Sequence, residues 1–171
     1  MDAPPGPDVK ERIYIETSIA SYLAARTSHD LITAGRQRAT HDWWERERSG
    51  YDLFTSAAVL DEAARGDDGA AHRRGEYLSE LTLLDVTDEA LQLSKGLISS
   101  LAVPRQAHVD AIHIAVATVN GMELLLTWNF KHIANPHQWH RIDRVCRLAG
   151  YELPVACSPD QLLEAKPLRL A

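Results

Sequence analysis

Short β-prone runs alternate with longer helical stretches from Arg12 onward, and no hairpin dipeptide joins any two of those runs. Strands never linked by tight turns must be connected by crossovers, which makes the sheet parallel and puts helices on its faces. The runs are Ile13-Tyr14-Ile15, Tyr51 to Thr55, Leu83 to Val86, Glu123 to Thr127 and Pro154 to Cys157. Leu124-Leu125-Leu126 lacks polar alternation altogether, as a strand covered on both faces does. Helices are expected from near Ile19, within Ser28–Gly50, after Ser56 until Gly66-Asp67-Asp68-Gly69, and from Ala70 to Leu81. Others are expected from a cap at Asp88 toward Leu101, from Pro104 to Gly121, from Pro136 to Ala149, and as a turn opened by Ser158-Pro159. The expected fold is α/β, three layers with a short, mostly parallel sheet between helices.

With 171 residues, 45% of them hydrophobic and 25% charged, the chain has enough for one domain core and too little for two. The expected domain spans residues 12–165, with tails at 1–11 and 166–171. No apolar run approaches the roughly 18 residues of a membrane span, and the opening Met1-Asp2-Ala3-Pro4-Pro5-Gly6-Pro7 lacks a cationic-then-apolar signal. A cytoplasmic location and no membrane partner are therefore expected. Cys146 and Cys157 lack metal-site spacing and read as reduced thiols. Lys and Arg number 18 against 24 Asp and Glu, a net charge of −6. That balance excludes a protein that coats nucleic acid by bulk electrostatics, and it suits an acidic pocket that holds cations.

Ligands of open parallel sheets bind beyond the carboxyl ends of the strands. Glu16 stands there after Ile13-Tyr14-Ile15, and Asn129 after the leucine run. Either also fits a polar residue capping the next helix. Asp110 carries more weight, because Val109 to Val119 is apolar on nearly every face and belongs in the domain centre. A carboxylate there requires a cation or strong donors. His113, one turn later on the same face, would be the hydrogen-bond partner of Asp110 if that carboxylate were merely structural. Glu62 by spacing alone reads as a solvated helical acid. His132, His137 and His140 fall close together but read as surface, next to Asn135-Pro136. Trp43-Trp44 fits an interface and a core position equally well.

Four segments in order resemble the motifs of PIN-domain nucleases. Ile13-Tyr14-Ile15-Glu16-Thr17-Ser18 is similar to the first, Val59-Leu60-Asp61-Glu62-Ala63 to the second, Asp110-Ala111-Ile112-His113-Ile114-Ala115 to the third, and Leu125-Leu126-Thr127-Trp128-Asn129-Phe130 to the fourth. The resemblance spans residues 12 to about 157 and is strongest to the toxins of bacterial toxin–antitoxin pairs. It implies a PIN-like fold and an endoribonuclease with its catalytic positions at Glu16, Glu62, Asp110 and Asn129. Glu16, Asp110 and Glu62 would hold Mg²⁺ or Mn²⁺, whose preference for hard oxygen ligands three carboxylates satisfy. Ser18, Thr127 and His113 would support those carboxylates. Asn129 would offer its carbonyl oxygen to the metal or to a ligating water, and Arg105 and Lys131 are the candidates for RNA contact. The implied partners are RNA, a small antitoxin and a second copy of the chain. Two departures stand out: Glu16 and Asn129 occupy positions where Asp is usual, which leaves three carboxylates instead of four. A catalytically weakened PIN-like module that binds RNA or protein, and a structural protein with a paired Asp110, are the alternatives.

Overall fold

Ile13, Tyr14 and Ile15 are almost wholly excluded from solvent because their strand lies at the middle of the sheet. The computed structural model describes residues 9–165. Strand β1 (Glu11–Ile15) pairs in parallel with β2 (Tyr51–Ser56) on one side and β4 (Leu124–Leu126) on the other. Strands β3 (Thr82–Leu84) and β5 (Val155–Cys157) form the two edges, giving the order β3-β2-β1-β4-β5, all parallel. Ile15 stands opposite Leu126, so the carboxyl ends of β1 and β4 come out side by side, with that of β2 flanking β1.

The two-residue period of a strand sends neighbouring side chains to opposite faces. Ile13, Ile15 and Leu126 meet α1 (Thr17–Ala24), α2 (Leu31–Arg46) and α8 (Pro159–Glu164) on one face. Tyr14 and Leu125 meet α3 (Ala57–Ala63), α5 (Asp88–Ser99), α6 (His108–Val119) and α7 (Pro136–Leu148) on the other. Helix α4 (Asp68–Leu78) sends Leu78 to one core and Tyr77 to the other. The result is the expected three-layer α/β/α arrangement. Among the described residues no helix is long and apolar enough to cross a membrane.

Several boundaries differ from the sequence reading, each for a local reason. β1 begins at Glu11, which pairs with Tyr51, so the last residue of the expected tail is strand. Residues 1–8 and 166–171 of the expected tails lie outside the described residues. Asp67 caps α4 by accepting from the Ala70 N–H, so the Asp67-Asp68 pair opens a helix two residues earlier than expected. Thr87, not Asp88, caps α5. Pro104 is extended, with ψ 147°, and a 3-10 turn over Arg105–Ala107 separates it from α6. Trp43 and Trp44 are both buried against the α2 side of the sheet, which settles them as core.

Candidate active site

Glu16 leaves the end of β1 just before α1, and its side chain is 4% exposed. Its Oε2 accepts from Ser18 Oγ at 2.5 Å and from Thr127 Oγ1 at 2.7 Å. Both hydroxyls in turn accept backbone N–H groups from the chain after β4: Trp128 N donates to Ser18 Oγ at 2.8 Å and Asn129 N to Thr127 Oγ1 at 2.9 Å. The adjacent ends of β1 and β4 thus converge on one carboxylate oxygen. A carboxylate held by two hydroxyl donors satisfies part of its charge without water.

Glu62 comes from α3, which starts at the end of β2 with Ser56 as its cap. Its Oε2 accepts from Thr17 Oγ1 at 2.5 Å and pairs with His113 Nε2 at 3.0 Å. The hydrogen bond from His113 is the main influence holding the Glu62 carboxyl below its usual range, against the upward push of partial burial. His113 therefore departs from the sequence reading: its partners are Glu62 and, through Nδ1 at 2.9 Å, the hydroxyl of Tyr14, and not Asp110. The ring is fully buried, with Nδ1 turned to Tyr14 of β1 and Nε2 to Glu62.

Asp110 lies in the first turn of α6. Its Oδ1 accepts from Asn129 Nδ2 at 3.0 Å, while Asn129 Oδ1 accepts from His132 N at 3.0 Å. A backbone N–H can only donate, so the amide orientation is fixed and the nitrogen of Asn129 faces Asp110. The expected offer of the Asn129 carbonyl to a metal or its water is not what this orientation makes, because the amide nitrogen faces Asp110 and the oxygen is turned to the His132 N–H. Desolvation pushes the Asp110 carboxyl above its usual range, only partly opposed by nearby His113 and by the Asn129 hydrogen bond.

The three acids, with Thr17, Ser18 and Asn129, line one cavity of about 420 Å³. Each carboxylate has one oxygen tied down (Glu16 Oε2, Glu62 Oε2, Asp110 Oδ1). Among the described residues no hydrogen bond reaches the other oxygen of any of them. Glu16, Glu62 and His113 each place one ligand atom within 4.8 Å of the others; Asp110 lines the same cavity outside that trio. Sequence reasoning gave Thr17 no role of its own and missed the cations of the cavity. These are Arg65 and Arg74. Arg74 is pinned across the end of α3 by Nε to Ala63 O at 2.8 Å and Nη2 to Arg65 O at 2.6 Å. Arg105 instead lines a separate depression with Lys95 and His108, and Lys131 is exposed and lines no part of the acidic cavity. His137 and His140 are exposed, as expected.

No family model matches the sequence, and no curated protein matches it. Solved structures do. The VapBC2 complex from Rickettsia felis, bound to a DNA fragment from its promoter, has a chain that superimposes with a TM-score of 0.56 at 14% identity, covering 86% of this chain and 98% of that one. Mycobacterium tuberculosis VapC20, a toxin that cleaves the sarcin–ricin loop, superimposes with a TM-score of 0.52 at 19% identity over 72% of this chain and 95% of that one. The fold is PIN-like. At these identities the likeness speaks for the backbone architecture alone.

Proposed function

We propose that this PIN-like chain is a divalent-metal-dependent endoribonuclease, the toxin of a cytoplasmic toxin–antitoxin pair. The observation that carries the reading is the set of three carboxylates around one cavity, each with one oxygen anchored and one without a partner. Hard, charged oxygen donors of this kind fit Mg²⁺ or Mn²⁺ and suit softer metals poorly. Glu16, Glu62 and Asp110 would hold the ion. When bound, it lowers the pKa of a water and offsets charge on a phosphodiester. The chain's own work is positional. Ser18 and Thr127 hold Glu16, Thr17 and His113 hold Glu62, and Asn129 holds Asp110, so that no carboxylate has to be immobilised when substrate arrives. Arg65 and Arg74 supply positive charge at the wall where an RNA phosphate would enter. A net charge of −6 suits an antitoxin with a basic segment.

The test is cleavage of a structured RNA that includes a sarcin–ricin-type loop, the kind of loop that VapC20 cleaves. Cleavage in Mn²⁺ or Mg²⁺, abolished by EDTA and by Asp110→Ala, is the expected result. Cleavage that survives Asp110→Ala overturns the reading. A second reading, a catalytically weakened module that binds RNA or protein, is favoured by one observation: the fourth motif position donates a hydrogen bond to Asp110 and turns its oxygen to the His132 N–H. RNA binding without cleavage in any divalent ion selects it.

A further inference from the structure

Ser56, Tyr14 and His113 are all fully buried, and they form an unbroken hydrogen-bonded chain through the core. Ser56 Oγ lies 2.7 Å from the Tyr14 hydroxyl, that hydroxyl lies 2.9 Å from His113 Nδ1, and His113 Nε2 lies 3.0 Å from Glu62 Oε2. The donors can be assigned from the two ends. At one end the Val59 N–H can only donate, and it does so to Ser56 Oγ at 3.4 Å. At the other end the Glu62 carboxylate can only accept, so Nε2 must carry a hydrogen. In the neutral ring Nδ1 then accepts from Tyr14, and Tyr14 accepts from Ser56. Ser56 Oγ and the Tyr14 hydroxyl each accept one hydrogen bond and donate one, so the sense is consistent along the path.

We infer that Tyr14 and His113 are positioning residues that fix Glu62 by its Oε2 atom and leave Oε1 directed to a ligand in the cavity. The inference rests on the nuclease reading of that cavity and adds to it Tyr14, a buried residue that lines no part of the cavity, and the tautomer of His113. Three features carry it. The path begins at the cap of α3 and returns to α3 at Glu62, so it fixes that side chain relative to the start of its own helix through β1 and α6. Glu62 needs such a constraint, since its side chain is 36% exposed and rotates about three bonds, with Thr17 Oγ1 as its one other anchor among the described residues. And the two core positions would pack as well with Phe and Leu, while buried polar groups are costly when any member of the chain loses its partner. The alternative tautomer, with the hydrogen on Nδ1, would set the Nε2 lone pair against the carboxylate at 3.0 Å. It would make His113 a ligand nitrogen instead of a donor.

Two measurements on the full chain test this. Nitrogen–proton correlation spectra of the imidazoles, with His113 assigned by its loss in His113→Gln, read the tautomer without metal or RNA. The Nε2–H form is expected in the metal-free chain and again in Mg²⁺, with Tyr14→Phe releasing it to a mixture; an Nδ1–H form overturns the inference. Calorimetric Mn²⁺ titration and cleavage kinetics then compare variants that remain folded by circular dichroism. Tyr14→Phe and His113→Leu are expected to lose about tenfold or more in Mn²⁺ affinity and to lower kcat more than they raise KM. His113→Gln, whose amide nitrogen reaches the same point, should recover part of both. If wild type binds Mn²⁺ and the Phe and Leu variants bind it equally well, the positioning role is wrong and the nuclease reading stands. If wild type binds neither Mn²⁺ nor Mg²⁺, the nuclease reading falls and takes the inference with it.

Discussion

The side-chain amide of Asn129 donates to Oδ1 of Asp110 at 3.0 Å while its own oxygen is held by the His132 N–H. In Asn129→Asp an acceptor would replace that donor, and two carboxylates would face each other at the same spacing. The metal-free protein should lose roughly 1–2 kcal/mol, from like-charge repulsion and the lost hydrogen bond. Mn²⁺ affinity should rise, because ligand charge strengthens binding of hard cations. Denaturant melts and calorimetric titration of both forms check the two halves; equal Mn²⁺ affinities would place residue 129 away from the ion.

Divalent ions should stabilise the fold. At a concentration 100 times Kd the shift is about 2.7 kcal/mol. For a chain of this length that is roughly 5–10 °C in Tm. Thermal melts in EDTA, Mg²⁺ and Mn²⁺ measure it, and coincident curves would speak for a site without a metal.

Arg65 and Arg74 separate phosphate contact from stability. Arg65 is exposed and its side chain makes no hydrogen bond among the described residues, so Arg65→Ala should raise KM for RNA several-fold and leave Tm unchanged. Arg74→Ala should do the same and also lower stability by about 1 kcal/mol, since two carbonyls at the end of α3 lose their donor. Neither change should weaken Mn²⁺ binding, since each removes a positive charge from the cavity that holds the acids. Arg105→Ala, at a separate depression, should leave KM where it is.

The two cysteines give an independent probe of folding. Burial pushes the Cys146 thiol up to about 11 and the Cys157 thiol up to about 12. The thiolate is the reactive form, so at pH 8 a disulfide reagent should label neither in the native chain and both after unfolding. Labelling of either at a rate set by reagent concentration alone would contradict their placement.

What the sequence made legible was whatever rests on local pattern. Ile13-Tyr14-Ile15 and the leucine run declare their strands because β-prone and apolar runs between turn signals have few other uses. Strand-end geometry then brings Glu16 and Asn129 to one edge, and the apolar surroundings of Asp110 single it out on its helix. The partners of those acids are another matter. His113 shares a helical face with Asp110, yet it bonds to Glu62, 51 residues away in sequence, and to Tyr14, 99 residues away. Those choices follow from how α6 lies on β1 and β2, which no spacing rule encodes. Arg74 was invisible for the same reason, since only the packing of α4 beside α3 carries it into the cavity. Pro104 misled by its chemistry: it suits a first helical turn but took the extended geometry that leads into a 3-10 turn.

The sheet's rims have a consequence for recruitment. β3 and β5 are three residues each, so another polypeptide that tried to lengthen the sheet would find a ladder only a few rungs long. Strand addition draws its affinity from just such main-chain rungs, and short edges also deny misfolded neighbours a template. A protein that captures this chain must therefore read side chains on its helices, and its specificity will be written in surface residues that can change without disturbing the sheet that carries the acids.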